Sequence, residues 1–277
     1  MAFATGLPVR NASHTLRALP PILLRLFVAL VYLFLLGPIA VIVATSFSPT
    51  HSMAFPPPGF SVRWYAEFLH SDNFTAAFRF SLVLGISAAI IATVIGFFTA
   101  YAAKRLMQRH GGVVQSLAML PLLIPHLLIS ISLLLVLNFV PIPDFASLLA
   151  GHVLICTPFT VAGIIASLDG VDAQLEAAAM TLGASRLTAL FEVVVPLVAP
   201  GVLSAFLFAF VVSFGDVYIA LFLSGPGTTT LPIEIFSYVQ WESSPVIAAI
   251  TTVQIIMIVV LGLVIEKLVG LRRIMRV

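Results

Sequence analysis

Charge is what this sequence has least of. Asp, Glu, Lys and Arg together supply 9% of its 277 residues, against 61% that are hydrophobic. So few charges cannot hydrate the surface of a soluble domain of this length, and immersion in a membrane is the economical explanation. The formal net charge of +2 by itself says little, and where the cations sit says more; lipid is the expected partner and nucleic acid is not. The single Cys156, inside an apolar run, excludes an intramolecular disulfide and a thiolate metal site, and is read as a small buried residue. Only two lysines occur, Lys104 and Lys267, and neither follows a GxxxxG run, so the chain carries no nucleotide-binding P-loop. No HxxxH spacing occurs, His126 and His152 are isolated and the other histidines lie outside the apolar runs, so no metal site is assigned. His126, beside Pro125, is read as a polar group at a kink satisfied by a carbonyl, or as facing a pathway. Gly85-Ile86-Ser87 and Gly183-Ala184-Ser185 match a GxS pattern, but no histidine follows His152, so an intramembrane serine protease lacks its base. No catalytic residue is assigned.

What is abundant is long apolar sequence. Six runs are each long enough for a spanning helix of about 20 residues, at 26–45, 76–103, 113–139, 145–168, 197–223 and 246–268. Pro121 and Pro125 interrupt the third, and Pro158 kinks the fourth. A basic arm, 1–25, precedes the spanning domain, 26–268, and a basic tail, 269–277, follows it. Six spans put both termini on one side. Arg10, Arg17, Arg25, Lys104, Arg105, Arg109, Arg186, Lys267, Arg272, Arg273 and Arg276 fall on that side, and only Arg63 and Arg79 fall opposite, which makes it cytoplasmic. Between the first two runs, Trp64, Tyr65, Phe68 and Leu69 form an amphipathic patch suited to a membrane interface.

Ionisable groups inside a membrane are costly and therefore candidates for function. Asp216 stands in the outer half of the fifth run and reads either as an acid reaching water at the interface or as a substrate contact. Asn138 and Gln254 read as interhelical hydrogen-bonding residues. No chain of Asp, Glu and His threads the spans, and neither an internal repeat nor an embedded ion site is visible. A secondary carrier, which would show both, is thus the weaker reading.

The remaining polar sequence is concentrated at 169–196, on the cytoplasmic side. Asp172 can cap a helix with the stripe Leu175, Ala178, Ala179 and Leu182, and Gly183 stops it. Ser185 can cap a second helix with the stripe Leu187, Leu190, Phe191 and Val194, and Pro196 closes the unit. A helix–glycine–helix elbow with one apolar face suggests a docking element.

This stretch resembles the signature loop of the permease subunits of binding-protein-dependent ABC importers, E-A-A-x3-G-x9-I-x-L-P. Gly183 takes the glycine, Val193 and Val195 the aliphatic positions and Pro196 the proline, with no gap; the glutamate falls on Ala177, and Glu176 lies one residue earlier. The resemblance extends over nearly the whole chain. Residues 57–65 (PPGFSVRWY), 216–220 (DVYIA) and 223–232 (LSGPGTTTLP) resemble the spermidine/putrescine branch, although Gly215 replaces one acid of that branch's S-F-D-D. It implies an all-α type I importer permease with six spans, cytoplasmic termini and a coupling loop in which Glu176, Ala177, Ala178, Gly183, Ala184, Arg186 and Pro196 meet an ATPase. It implies a substrate path past Ser213, Asp216 and Tyr218, and external loops in which Arg63, Trp64, Tyr65, Gly225, Thr228 and Glu234 meet a solute-binding protein. The implied partners are a second permease, two ATPase subunits that carry the ATP and magnesium, and that binding protein; this chain needs no cofactor. The substrate implied is a polyamine or a related amino-bearing solute, with amino acid derivatives and phosphonates as alternatives.

Overall fold

A computed structural model describes residues 21–107, 109–140 and 142–269, and these are helical almost throughout, with no strand among them. The basic arm through Arg17 and the tail residues Arg272, Arg273 and Arg276 lie outside the described residues. In chain order come α1 (Pro21–Thr45), α2 (Arg63–His70), α3 (Asp72–Tyr101), α4 (Gly111–Leu123), α5 (His126–Leu137) and α6 (Asp144–Asp169). They are followed by α7 (Ala173–Thr181), α8 (Arg186–Ala189), α9 (Val195–Gly215), α10 (Tyr218–Leu223), α11 (Leu231–Val239) and α12 (Val246–Val269). A π turn, Ala102–Leu106, extends α3, and a second, Leu190–Val194, fuses α8 to α9.

Five helical runs are long and apolar enough to cross a membrane, and α4 with α5 makes a sixth if that pair counts as one broken span. The break bends it by 96°. It falls at Ile124 and Pro125, where Pro125 precedes the first residue of α5; Pro121, expected to interrupt the run, lies inside α4. α6 likewise continues through Pro158. The fifth run departs more from expectation. α9 ends at Gly215 and a short helix, α10, restarts at Tyr218, so the run is not one helix to residue 223. Pro196 does not close the elbow either. The helix continues through it, from the π turn into the first turn of α9. Asn138 caps the end of α5 and is exposed rather than deep in a span.

The core is the mutual packing of α3, α6 and α9. Lipid tails are as apolar as the helices, so close approach of small residues and interhelical hydrogen bonds must hold them together. Ala88, Ala89, Ala92 and Ala100 of α3 are fully buried. A Cβ on Gly96 would overlap Thr160, whose Oγ1 instead donates to the Ala92 carbonyl at 2.8 Å. Cys156 is buried, as read, and its Sγ faces the Ala209 carbonyl at 3.3 Å. α1 packs against α12 and leaves residues 22–36 exposed.

The loop between α1 and α2 folds inward. Trp64 is 1% exposed, with Nε1 donating to the Ser48 carbonyl at 2.7 Å, and Phe68 is buried beside it. The Tyr65 and Ser46 hydroxyls lie 2.6 Å apart. Of the patch expected at an interface, only Leu69 is fully outward; the aromatic rings serve as the plug that fastens α2 onto the bundle.

Candidate functional site

The elbow folds much as its capping residues require. Asp172 Oδ1 accepts from the Gln174 N–H at 2.9 Å and starts α7; Ser185 Oγ accepts from the Thr188 N–H at 3.1 Å and starts α8. Between them Gly183 has φ +97°, the left-handed conformation that ends a helix and that glycine adopts without strain. A Cβ there would meet nothing within 4 Å, so the backbone angle alone selects glycine.

The two stripes have different fates. Leu175, Leu182, Leu187 and Phe191 are exposed, Leu182 at 89%, whereas Leu190 and Val194 are buried against α6 and α9. Exposed with the leucines are Ala177, Ala178 and Arg186, and Ala184 is partly covered. Glu176 does the reverse. It is 7% exposed, and its Oε1 accepts from the Tyr101 hydroxyl at 2.5 Å while Oε2 stands 3.8 Å from Arg105 Nε. Arg105 Nη2 donates to the Val171 carbonyl at 2.8 Å, and Lys104 pairs with Asp169 at 2.7 Å. α3, α6 and α7 are thus tied together by charge at the elbow end of the bundle. Tyr101 and Arg105 were not singled out from sequence; the Lys104–Arg105 pair served there only to orient the chain.

At the opposite half, the two helix breaks meet. Asp216 is 7% exposed; its Oδ2 accepts from the Ile219 N–H at 2.7 Å, capping α10, and its Oδ1 lies 3.4 Å from His126 Nδ1 at the start of α5. In hydrocarbon a broken helix must satisfy its freed backbone donors internally, and this carboxylate does so. Asp216 is therefore an inward-facing group rather than an acid reaching water. One turn earlier, Ser213 Oγ lies 2.8 Å from His152 Nδ1, and both residues are buried. Ser213 and Asp216 thus lie one turn apart with His152 and His126 beside them, and Tyr218 is half-exposed at the edge. A cleft of about 480 Å³ runs beside the break, lined by Gly215, Val217, Pro232, Thr251 and Gln254 among others. Among the described residues no three His, Cys, Asp or Glu side chains converge as metal ligands would.

Of the residues expected to meet a binding protein, Arg63 is exposed with its guanidinium 4.1 Å above the Trp64 ring, Tyr65 is partly covered, and Trp64 itself is enclosed. Gly225 and Thr228 form a turn in which the Gly225 N–H donates to Thr228 Oγ1 at 2.7 Å. Glu234 lies in the first turn of α11, a helix inside what reads as a loop, and lines a small cleft with Asn73 and Thr229.

Continuous spans, two helix breaks that meet around a buried carboxylate, and a capped elbow at one end are the architecture of a multi-pass transport protein. The chain belongs to the family of binding-protein-dependent transport system inner membrane components, whose profile matches residues 4–272. It is 33% identical over 233 residues to the spermidine/putrescine transport system permease protein PotC of Haemophilus influenzae, covering 83% of this chain and 90% of that one. It is also 33% identical over 233 residues to the putrescine transport system permease protein PotI of Escherichia coli, covering 80% and 81% of the two chains. Among solved structures, a chain of a bacterial ABC transporter involved in alginate import superposes with a TM-score of 0.69 at 14% identity, covering 92% of this chain and 95% of that one. That likeness supports the fold alone.

Proposed function

We propose that this chain is the permease of an ATP-driven importer of a polyamine, spermidine or putrescine, or a related amino-bearing solute. The observation that carries the reading is its identity to two polyamine permeases along four-fifths of the chain. A buried carboxylate at the meeting of two helix breaks agrees with it, since a cationic amine needs an anion along its path.

In this reading the elbow end is cytoplasmic, both termini lie on that side, and residues 1–25, 26–268 and 269–277 are arm, spanning domain and tail. Residues 169–196 dock on an ATPase subunit that binds ATP and magnesium; a second permease completes the pathway, two ATPases drive it, and an external binding protein delivers the solute. Leu182, Gly183, Arg186 and Leu187 present the docking face. Closure of the ATPases moves the elbow and converts an inward-open cavity to an outward-open one, with the α4–α5 and α9–α10 breaks as bend points. Ser213, Asp216, Tyr218 and His126 line the path. Arg63, Tyr65, Gly225, Thr228 and Glu234 face the binding protein, with Trp64 holding Arg63 in place.

A second reading keeps the machinery and changes the cargo. The chain is 27% identical over 242 residues to the putative 2-aminoethylphosphonate transport system permease protein PhnV of Salmonella typhimurium, and Gly215 removes one acid beside Asp216. Uptake of labelled spermidine, putrescine and 2-aminoethylphosphonate by cells with and without this chain decides between them. Loss of polyamine uptake alone is the expected result; loss of phosphonate uptake alone would move the cargo to the second reading.

A further inference from the structure

The elbow carries one carboxylate that does not face outward. Its neighbours in sequence, Leu175 and Ala177, are exposed, yet Glu176 is buried beneath α7. An ionised carboxylate withdrawn from water must be paired and hydrogen-bonded, and Glu176 takes its partners from α3 and the π turn that extends it. Tyr101, 4% exposed, donates to Oε1; Arg105 approaches Oε2 and at the same time grips the Val171 carbonyl in the connection between α6 and α7. Arg105 Nε is itself buried and donates to no group. It stands 3.8 Å from Glu176 Oε2, near enough for attraction and too far for a hydrogen bond. A movement of α7 toward the π turn by about 1 Å would bring the pair to the usual 2.7–3.2 Å and close a charge-assisted bond.

We infer that Glu176 is a positioning residue that passes displacement of the elbow to α3 through Tyr101 and Arg105, and that it does not contact the ATPase. The inference rests on the function proposed above and adds a division of labour. The exposed leucines receive the ATPase, and the buried carboxylate beneath them hands its motion to the span. The π turn gives the link its purchase, because Lys104 and Arg105 leave the same turn toward Asp169 and toward Glu176.

The test uses the complete transporter in proteoliposomes, comparing the unaltered chain with Tyr101→Phe, Glu176→Gln and the double variant. Three quantities are measured: ATPase subunit retained on purification, ATP hydrolysed with loaded binding protein present, and solute imported per ATP. Both single variants should retain the ATPase at the unaltered amount while import per ATP falls roughly 5- to 10-fold, the lower end of an ordinary coupling between sites. The double variant should be no worse than Glu176→Gln, since both lie on one route. A merely structural role would lower the yield of transporter but not this ratio. Unchanged import per ATP in Tyr101→Phe, which removes one oxygen and leaves the fold its best chance, would overturn the inference. So would loss of the ATPase in Glu176→Gln alone, which would make Glu176 a docking contact. Failure of the unaltered chain to retain any ATPase would instead contradict the function proposed above.

Discussion

The Tyr101 hydroxyl donates to Glu176 Oε1 at 2.5 Å, joining the elbow end of α3 to a helix 75 residues further along the chain. With Lys104 on Asp169 and Arg105 on the Val171 carbonyl, this contact makes α7 part of the bundle rather than a loop hung beneath it. The elbow is therefore fastened on its inner side, while Leu182 and Leu187 stand exposed, with nothing among the described residues covering them. In the function proposed above, Leu182, 89% exposed, and its exposed neighbour Leu187 belong to the surface that meets the ATPase.

Replacing Leu182 or Leu187 with Asp should leave insertion and folding unchanged and weaken retention of the ATPase. Each removes apolar area at the centre of the docking face, and loss of a central anchor costs on the order of 2 kcal/mol, about 30-fold in affinity. Quantifying the ATPase subunit that co-purifies with each variant checks this, and equal retention in both variants would place the docking face elsewhere.

Gly183 should discriminate among substituents by backbone conformation rather than size. Its φ of +97° costs an ordinary L-residue roughly 1–2 kcal/mol, more when β-branched and less for Asn, while a Cβ meets no neighbour. Transport should fall in the order Gly, Asn, Ala, Val with the protein still inserted. An uptake series that follows side-chain volume, with Asn worse than Ala, would point to a steric contact in the assembled complex instead.

Asp216 has two separable duties, the cap on α10 and the negative charge opposite His126. Asp216→Asn keeps a capping oxygen and removes the charge; Asp216→Ala removes both and should cost a further ~1 kcal/mol of stability. Thermal unfolding in detergent should therefore change little for the Asn variant, while uptake of a cationic solute falls by an order of magnitude or more. Full uptake with Asn would reduce Asp216 to a helix cap.

Trp64 should behave as a core residue. Truncation to Ala removes a buried ring and its bond to the Ser48 carbonyl, and losses of about 3–5 kcal/mol are usual for such changes. Arg63→Ala removes an exposed charge stacked on that ring and should change stability by less than about 1 kcal/mol. Unfolding curves for the two variants separate the anchor from the surface, and a mild Trp64→Ala would mean that the loop is held by something else.

What could be read from sequence follows the range of the interactions involved. The caps Asp172 and Ser185 and the stop at Gly183 act on donors two or three residues away, so their spacing is visible in the chain itself. The apolar runs were equally plain, because hydrocarbon thickness sets their length. The burial of Glu176 was not, since its partners lie some seventy residues upstream and a lone carboxylate in a polar stretch has no period. The break at Asp216 did leave a local trace, a glycine followed by an Asx residue three positions before the donor it caps. It was hidden by the continuous hydrophobicity of residues 197–223. The meeting of Asp216 with His126 depends on two breaks coming together in space, which no local pattern records. The inward turn of Trp64 is hidden for a related reason: an amphipathic aromatic patch looks the same whether it rests on lipid or plugs a loop.

Reconstitution tests most directly whether this chain is a polyamine pathway powered from its elbow. The chain, its partner permease and the ATPase are placed in proteoliposomes with loaded binding protein outside and ATP inside. Spermidine or putrescine should accumulate only when ATP and the ATPase are both present, and this chain alone should hydrolyse no ATP. Accumulation driven by an ion gradient with the ATPase left out would contradict the account.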